Sequence, residues 1–324
     1  MSIVEACESR TNTTPLFPMG WFTVGRSHEL QVGEVTRTAA FDRELVLYRT
    51  ESGKVALHDA FCPHLGAHLG EGGQVVGESI QCPFHGWQFN AADGKCSSIP
   101  YCEQIPDRAR LRTWHTEEKH GQIWVWFHPE NTVPYWPLPD IPEFGNDKWT
   151  EPRFAEFDVP AHVQDIAENS CDPVHFQYVH RQPEVPPSEV TVDTDGRTLH
   201  LRTDNVNDGI TSKLHAVVYS PGHALVRNTY GPNAEMLVYN SAQPVDRHNT
   251  KMRWSLMVTK EIEELAGDQV MQGIIDGLGD DYPIWQHKVH KQKPVFCRED
   301  DTLVLFRKWV KQFYQTSEDK RDIA

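Results

Sequence analysis

The sequence lacks the features that mark membrane-spanning, secreted and nucleic-acid-binding proteins. No stretch approaches the roughly 20 apolar residues of a membrane span. Residues 1–10 hold no basic segment followed by an apolar one, so no secretory signal is expected. Basic residues are in deficit, with 31 Lys and Arg against 46 Asp and Glu, and the formal net charge of -15 disfavours binding to nucleic acid. We therefore expect a cytoplasmic protein without a membrane span.

Cysteine is also sparse, which argues against a fold held together by disulfide bonds. Seven cysteines are scattered over 324 residues, and an odd number without a secretory signal favours free thiols and metal ligands over a disulfide framework. Cys96 and Cys102 are expected to be ordinary buried thiols. The length is ample for a large hydrophobic core and suggests about two domains.

The pattern of apolar and turn-forming residues changes near a proline-rich stretch, which divides the chain into two parts. Residues 21–128 contain short apolar runs separated by glycine, aspartate and serine turns, which predicts a small β-barrel or sandwich. Five prolines in residues 129–144 are typical of a linker. We therefore predict a first domain at 21–128 and a second at 129–324, with residues 1–20 as a segment that packs on the second.

The second domain is predicted to be an antiparallel sheet covered by helices, so the fold class is α+β. A helix is predicted over about Val163–Tyr178. Another is predicted over residues 271–285, broken or kinked at Gly277 and Gly279 and restarted at Pro283. The other predicted elements are strands at Leu45–Tyr48, Val55–His58, Ile123–Phe127, His215–Tyr219, Met236–Tyr239 and Met252–Val258, and a helix at Thr302–Tyr314.

Two short cysteine–histidine pairs indicate a metal site. Cys62-Pro63-His64 is followed, after seventeen residues, by Cys82-Pro83-Phe84-His85. Zinc is one option, because two cysteines and two histidines are a common zinc set. The other is a Rieske [2Fe–2S] cluster, in which both thiolates bind one iron and both imidazoles bind the other. Because each loop contributes one ligand of each kind, the pattern favours the Rieske cluster.

A second set of candidate ligands lies in the segment HVQDIAENSCDPVHFQYVH and comprises Asn169, Asp172, His175 and His180. Histidines five residues apart point about 140° apart on an ideal helix, so both reach one metal only if the helix unwinds or ends between them. A cluster that delivers single electrons needs an acceptor, which favours the two-histidine, one-carboxylate site of a non-haem Fe(II) oxygenase. Spacing leaves three candidates for the carboxylate: Asp276, Asp280 and Asp281.

These motifs resemble the terminal oxygenase components of Rieske non-haem iron oxygenases over nearly the whole chain. Residues 62–85 match the Rieske pattern, and residues 169–180 match the pattern Asn-x-x-Asp-x-x-His-x₄-His. The run from DYPIWQHK to QFY is similar to the ketosteroid 9α-hydroxylases and the cholesterol (sterol) 7-desaturases. The resemblance implies an N-terminal all-β Rieske domain and a C-terminal helix-grip-like antiparallel sheet covered by helices.

The resemblance also implies roles for individual residues. The cluster ligands would be Cys62, His64, Cys82 and His85, and the ligands of a mononuclear Fe(II) would be His175, His180 and Asp281. Asp172, with Asn169 in the same catalytic motif, would bridge the iron histidine to the Rieske histidine His85 of a neighbouring subunit. The implied assembly is a head-to-tail homotrimer.

The implied function is that of a monooxygenase or desaturase of steroid and lipid metabolism. It would use O₂ and electrons from NAD(P)H, supplied through a separate flavin and iron–sulfur reductase, to hydroxylate or desaturate an unactivated C–H site of a steroid or sterol. Two alternatives stay open: a Rieske oxygenase for an aromatic or other small hydrophobic substrate, and a Rieske electron-transfer protein. A steroid needs a long apolar cavity. Its expected lining is Val217, Tyr230, Met236, Val238, Tyr239, Trp254 and Leu256, with Trp285 either in the wall or packed behind it.

Overall fold

The computed structural model describes residues 16–207, 210–266 and 268–314, and it divides into two compact units. One unit is Trp21–Leu138; the other joins the residues up to Gly20 to those from Pro139 onward. Of the N-terminal segment predicted to pack on the second domain, residues 1–15 lie outside the described part. Within the rest of that segment, the N–H of Met19 donates to the carbonyl of Phe313 at 2.6 Å.

The N-terminal unit is built from three small sheets. Their orders are β1-β11-β10, β2-β3-β4-β9 and β5-β6-β7-β8. A 3₁₀ turn at Ser27–Glu29 follows the first strand. The strands are β1 Gly20–Arg26, β2 Val35–Ala40, β3 Arg43–Arg49, β4 Val55–Asp59, β5 Gln74–Val76, β6 Ser79–Gln81, β7 Gln88–Asn90, β8 Cys96–Ser98, β9 Thr113–Trp114, β10 Thr116–Lys119 and β11 Gln122–Phe127. The predicted all-β unit with strands at Leu45–Tyr48, Val55–His58 and Ile123–Phe127 is confirmed.

The apolar core of this unit surrounds its two candidate cysteine ligands. Cys62 and Cys82, each 3% exposed, lie in one buried cluster with apolar side chains from several strands. That cluster includes Val46 and Tyr48 from β3 and Phe89 from β7. Burying such groups is the dominant stabilising term in folding, so the core holds the two cysteine loops in place.

The proline-rich stretch contributes its first half to the N-terminal unit, which ends at Leu138 rather than at residue 128. Trp21 donates its indole N–H to the carbonyl of Trp136 at 2.9 Å. The ring of Trp136 also packs edge-on against Trp126, with the centroids 4.5 Å apart. These aromatic contacts, which lie downstream of the last strand, extend the unit beyond its sheets.

The C-terminal unit is one seven-stranded antiparallel sheet with helices, which confirms the α+β class. Its order is β12-β18-β17-β16-β15-β14-β13. No helix in the described part of the chain is both long and apolar enough to cross a membrane. The strands are β12 Arg153–Val159, β13 Ser188–Val192, β14 Leu199–Asn207, β15 Ile210–Ser220, β16 His223–Gly231, β17 Ala234–Pro244 and β18 Thr250–Val258. The helices are α1 Val163–Ala167, α2 His175–Tyr178, α3 Lys260–Ala266, α4 Asp268–His287 and α5 Asp301–Trp309, with 3₁₀ turns at Glu168–Cys171 and Val310–Tyr314.

The prediction of one continuous helix over Val163–Tyr178 was wrong. Helix α1 ends at Ala167, a 3₁₀ turn follows, and α2 begins only at His175. Between them Asp172 is extended, with φ -113° and ψ 94°. The next residue, Pro173, disfavours a helical conformation for the residue before it and has no N–H to donate.

The predicted break in the long C-terminal helix was also wrong. Helix α4 continues from Asp268 to His287 through Gly277, Gly279 and Pro283. Asp281 and Trp285, on either side of the proline, are 7% and 5% exposed. The helix is thus packed against the rest of its unit before and after the proline, and such packing can offset the one hydrogen bond that an internal proline removes.

Candidate functional site

Two loops of the N-terminal unit share one backbone design. In each loop the cysteine N–H donates to the carbonyl five residues later, and a glycine four residues after the cysteine donates back to the cysteine carbonyl. Gly66 and Gly86 adopt φ 76° and 71°, a conformation that favours glycine. The bonds are Cys62 to Ala67 at 2.9 Å, Gly66 to Cys62 at 2.9 Å, Cys82 to Trp87 at 2.8 Å and Gly86 to Cys82 at 3.1 Å.

The four candidate ligands of these loops pair by type. Burial, with the Cys82 thiol beside it, raises the pKa of Cys62 to about 11. The rings of His64 and His85 lie 4.7 Å apart, and the His64 ring also stacks on Trp87 at 4.5 Å. Thiol therefore faces thiol and imidazole faces imidazole. A thiol with a raised pKa, such as that of Cys62, is deprotonated only beside positive charge, so this donor set fits a two-iron cluster.

The surface around the two loops is apolar. Near the half-buried imidazoles, Leu65 and Phe84 are 65% and 60% exposed, and Tyr101 is 62% exposed. Tyr101 accepts the indole N–H of Trp87 at 2.8 Å. His68, in the first of the two loops, accepts the N–H of Gly70 at its Nδ1. We call Phe61, Leu65, Phe84 and Tyr101 the apolar rim.

In the C-terminal unit, the turn before α2 orients His175. Oδ1 of Asp172 accepts the N–H groups of Val174 at 3.0 Å and His175 at 3.3 Å. The Nδ1 of His175 contacts the main-chain carbonyl of Asp172. Helix α2 ends at Tyr178, so His180 lies beyond it. The ending of the helix between the two histidines is the condition under which both can reach one metal.

Helix α4 brings Asp281 to these histidines. One donor atom each of His175, His180 and Asp281 lie within 4.8 Å of one another. His180 Nε2 is 3.3 Å from Asp281 Oδ2, and the amide of Asn169 donates to Asp281 Oδ1 at 2.9 Å. The other candidate carboxylates point elsewhere, since Asp276 accepts from Gln272 and Asp280 lies 3.7 Å from Arg181.

The charges of this cluster suit a divalent metal. Burial lowers the pKa of His175, although the nearby Asp281 and Asp172 carboxylates act in the opposite direction. The ring is therefore neutral at pH 7, as a metal ligand must be. Two imidazoles and one carboxylate form the donor set of a facial triad, which leaves coordination positions open.

A second cluster of two histidines and one aspartate, which sequence reasoning missed, differs from the first in its hydrogen bonds and in the charge beside its carboxylate. His162, Asp165 and His290 are buried and offer donor atoms within 4.8 Å of one another. However, His162 Nδ1 accepts the N–H of Gln164 at 3.2 Å, which in a neutral ring leaves the proton on Nε2. Asp165 Oδ1 bonds to His290 at 3.0 Å and faces Lys288 Nζ at 3.9 Å. The cluster is thus a hydrogen-bonded ionic network with a lysine beside its carboxylate.

The histidines and Asp281 lie in the wall of a cavity between the helices and the sheet. The cavity encloses about 900 Å³ of empty space when its open mouth and the solvent there are included. Trp285 of α4 is part of the wall. Of its two predicted positions, in the wall or packed behind it, the structure shows the first. The sheet contributes mainly apolar side chains: Leu214, Ala216, Val218, Ala224, Val226 and Met252.

Most of the predicted lining was wrong, and only Trp254 of that set lies in the wall. Val217 alternates with the lining residues Ala216 and Val218, so it points to the other face of β15. Tyr239 is fully buried and packs on Phe144. Cys102 also departs from expectation, because it is exposed while Cys96 is buried.

Comparison with known proteins covers both units. The family profile of the 3-ketosteroid 9α-hydroxylase C-terminal domain matches residues 125–314, and that of the Rieske [2Fe–2S] domain matches residues 20–114. Cholesterol 7-desaturase of Xenopus laevis is 30% identical over 344 aligned positions, covering 98% of this chain and 76% of the relative. The oxygenase component of 3-ketosteroid-9-alpha-monooxygenase from Rhodococcus rhodochrous is 29% identical, and the alignment covers 96% of this chain and 85% of the relative.

Solved structures share the fold at lower identity. Dicamba monooxygenase bound to dicamba is 18% identical with a TM-score of 0.76, covering 95% of this chain and 99% of its own. NdmA of Pseudomonas putida CBB5 is 20% identical with a TM-score of 0.69, and the match covers 90% of this chain and 88% of NdmA. The sequence matches and the shared fold together show that this chain belongs to the Rieske oxygenases, in the family of the 3-ketosteroid 9α-hydroxylases and cholesterol 7-desaturases, and is an oxidoreductase of that type.

Proposed function

We propose that the protein is the terminal oxygenase of a multicomponent Rieske system that hydroxylates or desaturates an unactivated C–H site of a steroid- or sterol-like substrate. The observation that carries this proposal is the group of His175, His180 and Asp281 in the wall of a mainly apolar cavity. A metal held by these three side chains would face whatever the cavity binds. An electron-transfer protein needs no such cavity, so the second unit favours an enzyme.

The proposed ligands of the [2Fe–2S] cluster are Cys62, Cys82, His64 and His85. The facing thiols and facing imidazoles support a two-iron cluster over a single zinc ion, which would need all four donors around one point. The buried side of the pair is apolar, and the imidazole side is half-exposed. An electron can therefore enter or leave at the histidine side.

The proposed ligands of the mononuclear Fe(II) are His175, His180 and Asp281, and iron bound there would supply the activation of O₂. Asn169 fixes one carboxylate oxygen of Asp281 through its hydrogen bond. The turn at Asp172 fixes the orientation of His175. These residues position the ligands, and the apolar cavity wall excludes water and orients the substrate.

The substrate class rests on the relatives and on the cavity. The two sequence relatives described above are by name a cholesterol 7-desaturase and a 3-ketosteroid-9-alpha-monooxygenase. A cavity with a mainly apolar sheet wall suits a hydrophobic substrate. A role in steroid and lipid metabolism follows from this proposal.

The proposal includes a reductase partner and a trimer. The name "oxygenase component" of one relative supports a separate reductase, for which we propose NAD(P)H as the electron source.

In the proposed head-to-tail homotrimer, Asp172 meets the Rieske histidine His85 of the neighbouring subunit. The apolar rim supports such a contact, because large exposed apolar side chains clustered at one place mark interaction surfaces. A cytoplasmic location stays a prediction from the sequence.

Product analysis with purified protein tests the proposed function. The protein, a generic flavin and iron–sulfur reductase and NADH are incubated with a panel of steroids and, separately, of aromatic compounds. We expect O₂-dependent hydroxylation or desaturation of a steroid and about three irons per chain. Turnover of arenes without steroids would overturn the substrate class, and about two irons per chain without any turnover would support an electron-transfer protein.

The trimer is tested by light scattering. Replacing Leu65 of the apolar rim with lysine places a charge in the proposed contact, so the trimer should dissociate. Val32, in the same unit and 61% exposed against 65% for Leu65, provides the matched control Val32→Lys. A wild-type monomer, or trimers that survive Leu65→Lys unchanged, would contradict the proposed contact.

A further inference from the structure

The cavity wall contains polar atoms without a protein partner. The Oδ1 of Asn240 and the Nε1 of Trp254 are both buried and make no hydrogen bond to any residue that the structure describes. The indole Nε1 of Trp285, in the same wall, also has no partner among the described residues. By contrast, Ser220 accepts the N–H of Gly222 at 3.1 Å, and the Nδ1 of His223 lies 3.1 Å from the Tyr239 hydroxyl. Buried polar atoms are normally hydrogen-bonded, so these three atoms call for an explanation, and those of Asn240 and Trp254 belong to neighbouring side chains.

Asn240 and Trp254 are direct neighbours across two strands. Their Cα atoms are register partners in the β17–β18 ladder. Directly opposed residues have Cβ atoms about 4.5–5.5 Å apart, so the amide and the indole leave the sheet side by side. Both side chains line the cavity. A buried acceptor and a buried donor thus stand next to each other without bonding to each other.

The residues beside this pair leave room for a ligand. On the other side of Asn240, its register partner in β16 is Ala224, and Ala224 is in turn the register partner of Val218 in β15. All four residues line the cavity. The row across the sheet therefore has two apolar members, a valine and an alanine, beside the two polar ones, and all four border the same cavity.

We infer that Asn240 and Trp254 together bind one hydroxyl group of the substrate, so that the preferred substrate is a steroid alcohol. A hydroxyl is the small group that can satisfy both atoms at once, because it accepts from the indole N–H and donates to the amide oxygen. A ketone can accept from Trp254 but leaves the Asn240 oxygen without a donor. An analogue without oxygen leaves both atoms unpaired. This inference rests on the proposed function, because it takes the cavity to be a steroid site.

The test compares three forms of one substrate with the reductase-supplied enzyme. The probes are the 3β-alcohol, the 3-ketone and the 3-deoxy forms of the cholestane and androstane skeletons. kcat/KM is measured for turnover, and Kd by equilibrium dialysis. We expect the alcohol to exceed the deoxy form by about 10- to 100-fold in kcat/KM, with the ketone between them, because a site built to bond a hydroxyl discriminates against analogues that lack it.

Two variants separate recognition from folding. Trp254→Phe removes the indole N–H and Asn240→Leu removes the amide, and each should lower the alcohol-to-deoxy ratio about tenfold, mainly through the alcohol. Trp149→Phe, a buried tryptophan of the same unit that is not in the cavity wall, is the matched control and should leave the ratio unchanged. A merely structural role would lower the values for both substrates equally.

The outcomes distinguish this inference from the proposed function. Oxidation of alcohol and deoxy forms with equal efficiency would overturn the inference alone, since a retained water would then satisfy the pair. A ketone preferred over the alcohol would also overturn it, because Asn240 would then present its amide N–H₂. An enzyme that binds and oxidises none of the steroids would overturn the proposed function and the inference with it.

Discussion

The side-chain amide of Asn169 donates to Oδ1 of Asp281 at 2.9 Å and joins the segment before α2 to helix α4. The other carboxylate oxygen of Asp281 lies 3.3 Å from His180. Asp281 is thus held from one side by an amide and faces a histidine on the other. This arrangement makes Asn169 a positioning residue for the proposed iron site.

Removing the amide should weaken iron binding. Loss of a hydrogen bond to a metal ligand typically lowers metal affinity by about 10- to 100-fold, so Asn169→Ala should lose mononuclear Fe(II) to a competing chelator at correspondingly lower chelator concentration. Gln177→Ala is the control, because Gln177 also donates a side-chain amide, in its case to the Pro183 carbonyl. Equal iron affinity in both variants would show that Asn169 does not position Asp281.

The two metal sites should be separable by mutation. His175→Ala should lose the mononuclear iron but keep the absorbance of the cluster, whereas Cys82→Ser should lose the cluster. Iron and sulfide analysis with visible spectroscopy measures both. Cys96→Ser is the control, since Cys96 is a buried thiol of the same core whose Sγ donates to the Ser98 carbonyl. A cluster that survives in Cys82→Ser would contradict the ligand assignment.

Asp172→Asn should uncouple the two centres without emptying them. Asparagine keeps the oxygen that accepts from Val174 and His175, so the turn and both metal sites are retained. It removes the negative charge that is proposed to join His175 to the neighbouring subunit. The measurement is the rate of cluster oxidation after mixing the reduced enzyme with substrate and O₂. An unchanged rate would refute the bridging role.

The N-terminal unit should lose stability in acid through His58. Burial lowers the pKa of His58 from its ordinary 6.5 to about 4, although Asp59 and Asp93 raise it. Because the folded pKa is the lower one, the neutral ring stabilises the fold above pH 6.5, and this contribution is lost as the pH falls toward 4. The loss is at most about 3 kcal/mol.

Urea unfolding followed by the cluster absorbance measures this effect at pH 7 and pH 4.5. The difference between wild type and His58→Gln isolates the histidine from the other groups that titrate in acid. The free energy of unfolding of the variant should depend less on pH. Parallel pH dependence in the two proteins would contradict the assignment of a neutral buried His58.

The sequence predicted which candidate ligands group together better than it predicted which residues line the cavity. The cysteine–histidine pairs lie in short loops, where spacing limits how far apart the ligands can be. The end of α2 before His180 also followed from the requirement that both histidines reach one centre. By contrast, the choice of Asp281 over Asp276 and Asp280 depends on the rotation of α4 against the sheet, which tertiary packing sets.

The cavity lining was not predictable because the strands that form it carry little alternation. In β17, Met236 to Tyr239 are all buried, so apolar residues occupy both faces and the period of two that reveals an inward face is missing. The compact units divide at Leu138 rather than at residue 128 for a related reason. Proline content suggested a linker from residue 129, but the contacts of Trp136 are long-range and leave no local signal.

The central claim is that one iron lies between His175, His180 and Asp281, apart from a two-iron cluster in the N-terminal unit. A crystal structure of the iron-loaded protein, with anomalous data collected at the iron edge, tests it most directly. We expect one isolated peak bound by these three side chains and a double peak between Cys62, His64, Cys82 and His85. Full occupancy of the double peak with no peak at the three side chains would contradict it.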